Sequence, residues 1–560
     1  MTNYILKIFV LMKCELFRAL LSVVACALLF VLSSPNKAQI SITESPISKV
    51  WVADRGDGTY KNPILHADYS DPDVIRVGDD FYLTASSFNF APGLPVLHSK
   101  DLVNWKIVNY VFVKQKPFAA FDQPQHGNGV WAPSIRFHNG EFYIFYPDPD
   151  RGIYLTKAKN PAGEWSEPVL IKEAKGWIDP CPLWDADGNA YLLSALAASR
   201  SGIKSVLIVS RMSVDGTRLL DDGAIVFDGH DKHPTVEGPK FYRRNGFYYI
   251  FAPAGGVETG WQIVLRSKNI YGPYEEKIVL AQGKTEINGP HQGAWVETQT
   301  GESWFLHFQD KNAFGRVVHL QPVIWKNDFP VIGADADGDG TGEPVLTFKK
   351  PNVGKTYPIT TPMESDEFNA PRIGWQWQWQ ANPQTNWWFS APSYGFLRLF
   401  NRELPENSKN FWDVPNVLLQ KFPAPNFTAT TKVTFTPRTD GEKTGLIITG
   451  LDYAYVSVEK RPEGLFVSQT IVKDAEKGTA EIAGAGVAIK NNVFYLRVKV
   501  TEDSRAQFAF STNGKTFTNV GEPFTARKGK WVGARVGIFA VRTGKTRETG
   551  YANFDWFRIE

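Results

Sequence analysis

Cysteine is nearly absent: the 560 residues contain only Cys14, Cys26 and Cys181. Three cysteines build no disulfide framework, so the fold rests on packing and backbone pairing. A charge imbalance is missing too. The 61 basic residues nearly cancel the 58 acidic ones, which removes nucleic acid and anionic surfaces from the expected partners. Helical periodicity is scarce, which argues against an α-rich fold. One apolar run, Ala19 to Leu32, follows Lys7, Lys13 and Arg18 and precedes the polar "SSPNKAQ". It is short for a membrane span and reads as an export signal cut after Ala38. The mature chain would then keep Cys181 alone, with no span, in a bacterial periplasm or outside the cell.

What is present in excess is aromatic: 18 Trp, 20 Tyr and 38 Phe. Broad rings suit large β structures and also stack against sugars. The length exceeds what one core usually serves, so two domains are expected.

Between residues 60 and 350 a glycine turn followed by an aromatic strand recurs, as "VGDDFYLTAS", "HNGEFYIFYP", "ADGNAYLLSA", "RNGFYYIFAP" and "QTGESWFLHF". The turn glycines Gly78, Gly140, Gly188, Gly246 and Gly301 are 62, 48, 58 and 55 residues apart. A second marker follows at least three of these strands, as "SKDLVNW", "AKNPAGEW" and "SKNIYGPY". Four short strands fit each period, and repetition at this period predicts a β-propeller of five blades.

In a propeller the innermost strand of each blade begins at the mouth of the central channel. Stepping back seven to ten residues from each turn glycine reaches Asp71, Trp131, Asp179, Glu237 and His291. They sit in "SDPD", "VWAPS", "WIDPC", "VEGPK" and "GPHQG". Alone, an Asp-Pro is usually a turn, a Trp is usually core, and a His is usually a hydrogen-bonded structural residue. Equivalent placement in five successive repeats outweighs those individual readings. Three acids facing one funnel are equipment for cleaving a glycosidic bond: a protonated carboxyl serves the leaving oxygen, and an ionised one activates water or attacks carbon. A third acid raises the donor's pKa by like-charge repulsion.

The segments "DYSDPDVIRVGDDFYLTAS", "GVWAPSIRFHNGEFYIFY", "WIDPCPLWDADGNAYLL" and "VEGPKFYRRNGFYYIF" resemble glycoside hydrolase family 43 over about residues 60–350. The resemblance implies an inverting glycosidase acting on xylose- and arabinose-containing glycans. It implies Asp71 as general base, Glu237 as general acid and Asp179 as modulator of the acid's pKa. It places Arg316 of "GRVVHLQPV" in the substrate pocket and His291 on the axis, where some members ligate calcium. Trp131 and the loop "SSFNFAPGLP", with Phe90, are expected against the sugar. No cofactor is required by this chemistry; a structural Ca2+ at His291 is the one ion implied. Cys181 departs from the pattern, standing where Ser is more usual.

Residues 39–59 are an N-terminal segment and 351–363 a linker. From 364 to 560, period-two runs such as "NFTATTKVTF" and "VFYLRVKV" predict a β-sandwich, similar to the concanavalin-like domain of the β-xylosidase branch. The tryptophans of "GWQWQWQANPQTNWWF" are expected in its core rather than on glycan. "DADGDGTGEP" (335–344) starts like a calcium loop, but Leu346 stands where a Glu is needed, and a surface turn is expected. The predicted architecture is all-β: a five-bladed propeller, then a sandwich. The expected function is release of terminal β-D-xylosyl or α-L-arabinofuranosyl units from oligo- or polysaccharide. A non-catalytic glycan-binding propeller is the alternative. A fructan-processing enzyme is disfavoured, because Ser70 precedes Asp71 and Gly238 follows Glu237 where that chemistry calls for Asn and Cys.

Overall fold

The computed structural model describes residues 46–560 apart from 483; the proposed export signal lies outside the described residues. Five sheets of four antiparallel strands follow one another from Asp73 to Ile332. In the first blade the strands are Asp73–Val77, Asp80–Thr84, Gly93–Ser99 and Trp105–Phe112, paired in chain order. The innermost hairpins turn at the five predicted glycines, whose φ values run from 62° to 88°. A Cβ there would meet nothing within 4 Å. Conformation, not space, therefore selects glycine at these turns.

The strands bury opposite faces in opposite gaps, because side chains alternate along a strand. Five apolar clusters fill the five gaps between neighbouring blades. The gap between the last blade and the first holds Leu83, Leu97 and Trp105 against Leu306 and Leu320. Closure is completed by Thr59–Lys61, which pairs antiparallel with Thr347–Lys349. Just beyond, Lys350 bridges Asp54 and Asp101.

A polar string ties the five inner strands together. Asp73 accepts from Arg136 at 2.6 Å, and Arg136 donates to the Cys181 sulfur at 2.9 Å. The same guanidinium lies over the Tyr242 ring, and Tyr242 Oη accepts from the Trp295 amide. Cys181 also accepts from the Phe241 amide at 3.2 Å. The thiol in place of a hydroxyl thus keeps an acceptor role in the string.

The second unit is a sandwich of two eight-stranded sheets around one large core. Trp377, Trp379 and Trp387 are buried in that core, as expected of the aromatic stretch. The sandwich shares another cluster with the propeller, in which Phe88 and Phe90 pack with Phe411, Leu419 and Phe539. Backbone pairing of Ala91 with Trp379 and reciprocal bonds between Gln115 and Asn382 fix the junction.

Candidate active site

Asp71, Asp179 and Glu237 stand at the starts of the inner strands of blades 1, 3 and 4, where the repeat positions place them. Asp71 and Asp179 both adopt φ of 56°. The left-handed region is costly for most side chains and tolerated by Asp. The same backbone turn in two blades aims two carboxylates at the axis, immediately before the proline that fixes the next residue. Both are almost fully buried.

The contacts of the three acids differ. Asp71 accepts from the hydroxyls of Ser70 (2.6 Å) and Ser86 (2.5 Å), and Arg316 reaches its other oxygen at 3.3 Å. Asp179 accepts from the Gly238 amide at 2.6 Å. Burial raises its pKa against that hydrogen bond, and the charge of Asp71 adds to the rise. Glu237 has a quarter of its side chain exposed, the open one of the three. Removal from bulk water pushes its pKa well above the glutamate range, and the charges of Asp179 and then Asp71 push it further. Across the funnel His291 Nε2 lies 3.4 Å from Glu237 Oε1. Burial, with the Arg316 charge second, lowers His291 to about 3, so it faces Glu237 as a neutral ring.

Arg316 connects this centre to the sandwich. Its guanidinium donates to Ser70 Oγ at 2.7 Å, and its amide donates to Asp68 at 2.9 Å. The other oxygen of Asp68 accepts from the Gly533 amide of the sandwich at 3.1 Å. A Cβ on Gly533 would come within 2.6 Å of the Gly315 nitrogen, so glycine permits the two chains to touch there. Hydrogen bonds to a charged group contribute about 1.5–3 kcal/mol each. Asp68 therefore locks the sandwich to the strand that carries Arg316.

Trp131 is half-buried, its indole N–H held by the Gly127 carbonyl. Trp531 of the sandwich, 45% exposed, stands edge-on to it at 6.1 Å. Phe90 is buried, with the Arg535 guanidinium 3.5 Å over its ring; it forms the wall shared with the sandwich. Sequence reasoning missed Trp531, Asp68 and Gly533 as site components. The Asp68 carboxylate was visible beside Asp71, but its partner lies 465 residues away.

Calcium takes six to eight oxygen ligands. Among the described residues the one carboxylate within 4.0 Å of His291 is Glu237, so an ion held there would draw its remaining oxygen ligands from carbonyls or water. Neither buried ring nitrogen of His291 has a hydrogen-bond partner among the described residues, an arrangement suited to ordered water. The carboxylates of Asp335, Asp337 and Asp339 converge within 4.8 Å. Asp335 pairs with Lys326 at 2.9 Å and Asp339 accepts from the Thr341 amide, the bonding of a self-satisfied surface turn.

Three inward carboxyls at a propeller funnel, two of them with pKa values raised by burial and by neighbouring charge, are the equipment of a glycoside hydrolase. The chain belongs to glycosyl hydrolases family 43, whose family model matches residues 60–330. The model of the β-xylosidase C-terminal concanavalin A-like domain matches residues 365–560. The chain is an enzyme that hydrolyses O-glycosyl compounds. A putative beta-xylosidase of Xylanibacter ruminicola is 41% identical over 507 residues, 88% of each chain. A beta-xylosidase of Formosa agariphila is 33% identical, covering 97% of this chain and 98% of that one. A non-reducing end alpha-L-arabinofuranosidase of Bacteroides ovatus is 27% identical over 95% of this chain and 98% of its own. Among solved structures, a xylan beta-1,4-xylosidase from Bacillus halodurans superposes with a TM-score of 0.79 at 25% identity, over 89% of this chain and 99% of that one.

Proposed function

We propose that the protein is an inverting exo-glycosidase that releases terminal β-D-xylosyl or α-L-arabinofuranosyl units from plant cell-wall glycans. The observation that carries the roles is the contrast between Asp71 and Glu237. Asp71 accepts hydrogen bonds from two hydroxyls and a guanidinium, which favour its ionised form, whereas among the described residues no side-chain hydrogen bond holds the Glu237 carboxyl. Glu237 meets two other acids and a neutral imidazole. In this reading Asp71 takes the proton of the attacking water, and Glu237 gives its proton to the leaving oxygen. Asp179 keeps Glu237 protonated, and its bond to the Gly238 amide holds the backbone beside the acid.

Trp131, Arg316 and His291 line the sugar site, and Phe90 shapes its wall by supporting Arg535. The names of the relatives support pentosyl substrates. Hydrolysis of 4-nitrophenyl β-D-xyloside and α-L-arabinofuranoside tests this directly: turnover of one or both is expected, and turnover of neither contradicts it. We also infer export, on the basis of residues 1–38; a mature N-terminus after Ala38 is the expected result of sequencing the secreted protein. Among the described residues, no helix is long and apolar enough to cross a membrane.

The pH profile tests the modulator. A general acid must be protonated, so activity falls as pH rises through the pKa of Glu237. Asp179→Asn removes a negative charge that raises that pKa, so the basic limb is expected to move to lower pH by about one unit or more. A limb that stays in place with lowered activity would make Asp179 a substrate-holding residue instead.

A further inference from the structure

Residues 527–534 of the sandwich lie across the funnel mouth, and their contacts are unevenly distributed. Gly533 donates to Asp68 at the first blade. Trp531 meets Trp131 at the second, where a Cβ on Gly127 would lie 2.8 Å from the Lys530 side chain. Lys528 pairs with Glu258 of the fourth blade at 3.9 Å and with Asp310 of the fifth at 3.3 Å. The Ala534 amide donates to the Ala313 carbonyl, also of the fifth. In blade 3 the loop equivalent to those carrying Glu258 and Ala313 is residues 197–205. It follows the second strand of its blade, Ala190–Leu196, which runs antiparallel to the inner strand starting near Asp179. The loop therefore returns to the mouth face. Among the described residues, no hydrogen bond, ion pair or ring contact joins it to the sandwich.

Four sides of the funnel are thus bridged by the sandwich, and one is left open. We propose that the leaving-group part of an oligosaccharide exits over blade 3, and that Arg200 and Lys204 form the subsite that binds its first sugar.

Arg200 is built for this position. Its guanidinium lies 5.2 Å from the Trp131 ring centroid. Its Nε donates to Asp150 at 3.1 Å, its Nη2 to Asn128 at 2.7 Å and its Nη1 to Ser199 at 3.1 Å. Three of five N–H groups are used, which leaves two donors on a side chain already held in place. Such pre-organisation lowers the entropic cost of binding sugar hydroxyls. Lys204 is exposed, and its one hydrogen bond among the described residues is a long one, to Thr235 at 3.4 Å. Thr235 stands two residues before Glu237, and the Lys204 charge pulls the pKa of Glu237 down against burial. Arg200 beside Trp131 and Lys204 beside Thr235 thus place two cations on the one side of the funnel that the sandwich leaves unbridged.

The inference rests on the exo-glycosidase reading and is tested separately from it. Wild type and Arg200→Met are compared on an aryl pentoside, whose leaving group offers no sugar hydroxyls to the guanidinium, and on xylotriose. The expected result is a loss of about tenfold or more in kcat/KM on xylotriose, carried mainly by KM, with the aryl substrate changed less than about threefold. Arg200→Lys should recover part of the loss. An equal fall on both substrates would mean a structural role, and no fall on xylotriose would place the leaving group elsewhere; either overturns the proposal. Lys204→Ala should move the basic limb of the pH profile to higher pH, because removing a positive charge raises the pKa of Glu237; an unmoved limb removes Lys204 from the subsite. Calorimetric binding of xylotriose to Glu237→Gln, with and without Arg200→Met, reads the subsite without turnover. A wild type inactive on every pentoside would sink the exo-glycosidase reading itself.

Discussion

Asp71→Ala is expected to lower kcat by about 10²–10⁴-fold on every substrate, natural or activated. Water attack is common to all of them, and without the base the nucleophile stays a neutral water molecule. The variant also leaves Arg316, 8% exposed, without its carboxylate partner, with the Ser70 hydroxyl and the Phe308 ring still against its guanidinium. A lowered melting temperature is therefore expected alongside the loss of rate. Asp71→Asn, which keeps the shape, separates the two effects: it should melt closer to wild type yet remain equally slow. Azide placed in the space vacated by Asp71→Ala should restore part of the rate, because a small anion there attacks in place of the activated water. Near-normal turnover of an activated aryl pentoside by Asp71→Ala would remove Asp71 from the base position.

Glu237→Ala should instead divide substrates by leaving group. Xylo-oligosaccharides depart as poor leaving groups and need the proton, so their kcat is expected to fall by about 10²–10⁴-fold. Aryl pentosides with acidic phenols leave without it, and their loss is expected to stay within about tenfold. The neutral state of His291 sharpens this expectation. Lowered to about 3 by burial, the imidazole is neutral, and its remaining N–H is too weak an acid to replace Glu237. Equal losses on both substrate types would mean that Glu237 binds sugar rather than protonates it.

Much of this enzyme was legible in the sequence because its fold repeats. A glycine turn at a fixed distance from each strand start is a local signal, and five copies of it located the axial residues. Asp71 and Asp179 share φ of 56° for the same reason: the repeat copies a backbone turn along with its side chain. Pairings between domains left no such trace. Asp68 reads as one more aspartate in a turn until Gly533 is brought beside it, and Trp531 reads as an aromatic in a polar loop until it faces Trp131. Arg200 illustrates a third case. It lies on a four-residue helix with no repeat equivalent, and its partners Asn128 and Asp150 come from the neighbouring blade. Phe90 lay in a loop expected to touch sugar, yet the packing of Arg535 over its ring could not be read from a chain in which the two residues are far apart.

The stereochemistry of the first product tests the central claim most directly. If Asp71 activates water while Glu237 protonates the leaving oxygen, the anomeric carbon is attacked once and from the opposite face. Proton NMR of 4-nitrophenyl β-D-xyloside hydrolysis should then show α-xylose first, with the β anomer growing in only as mutarotation proceeds. For the α-L-arabinofuranoside the β anomer should come first. An initial signal of unchanged configuration would require a covalent sugar on Asp71 and would contradict the account.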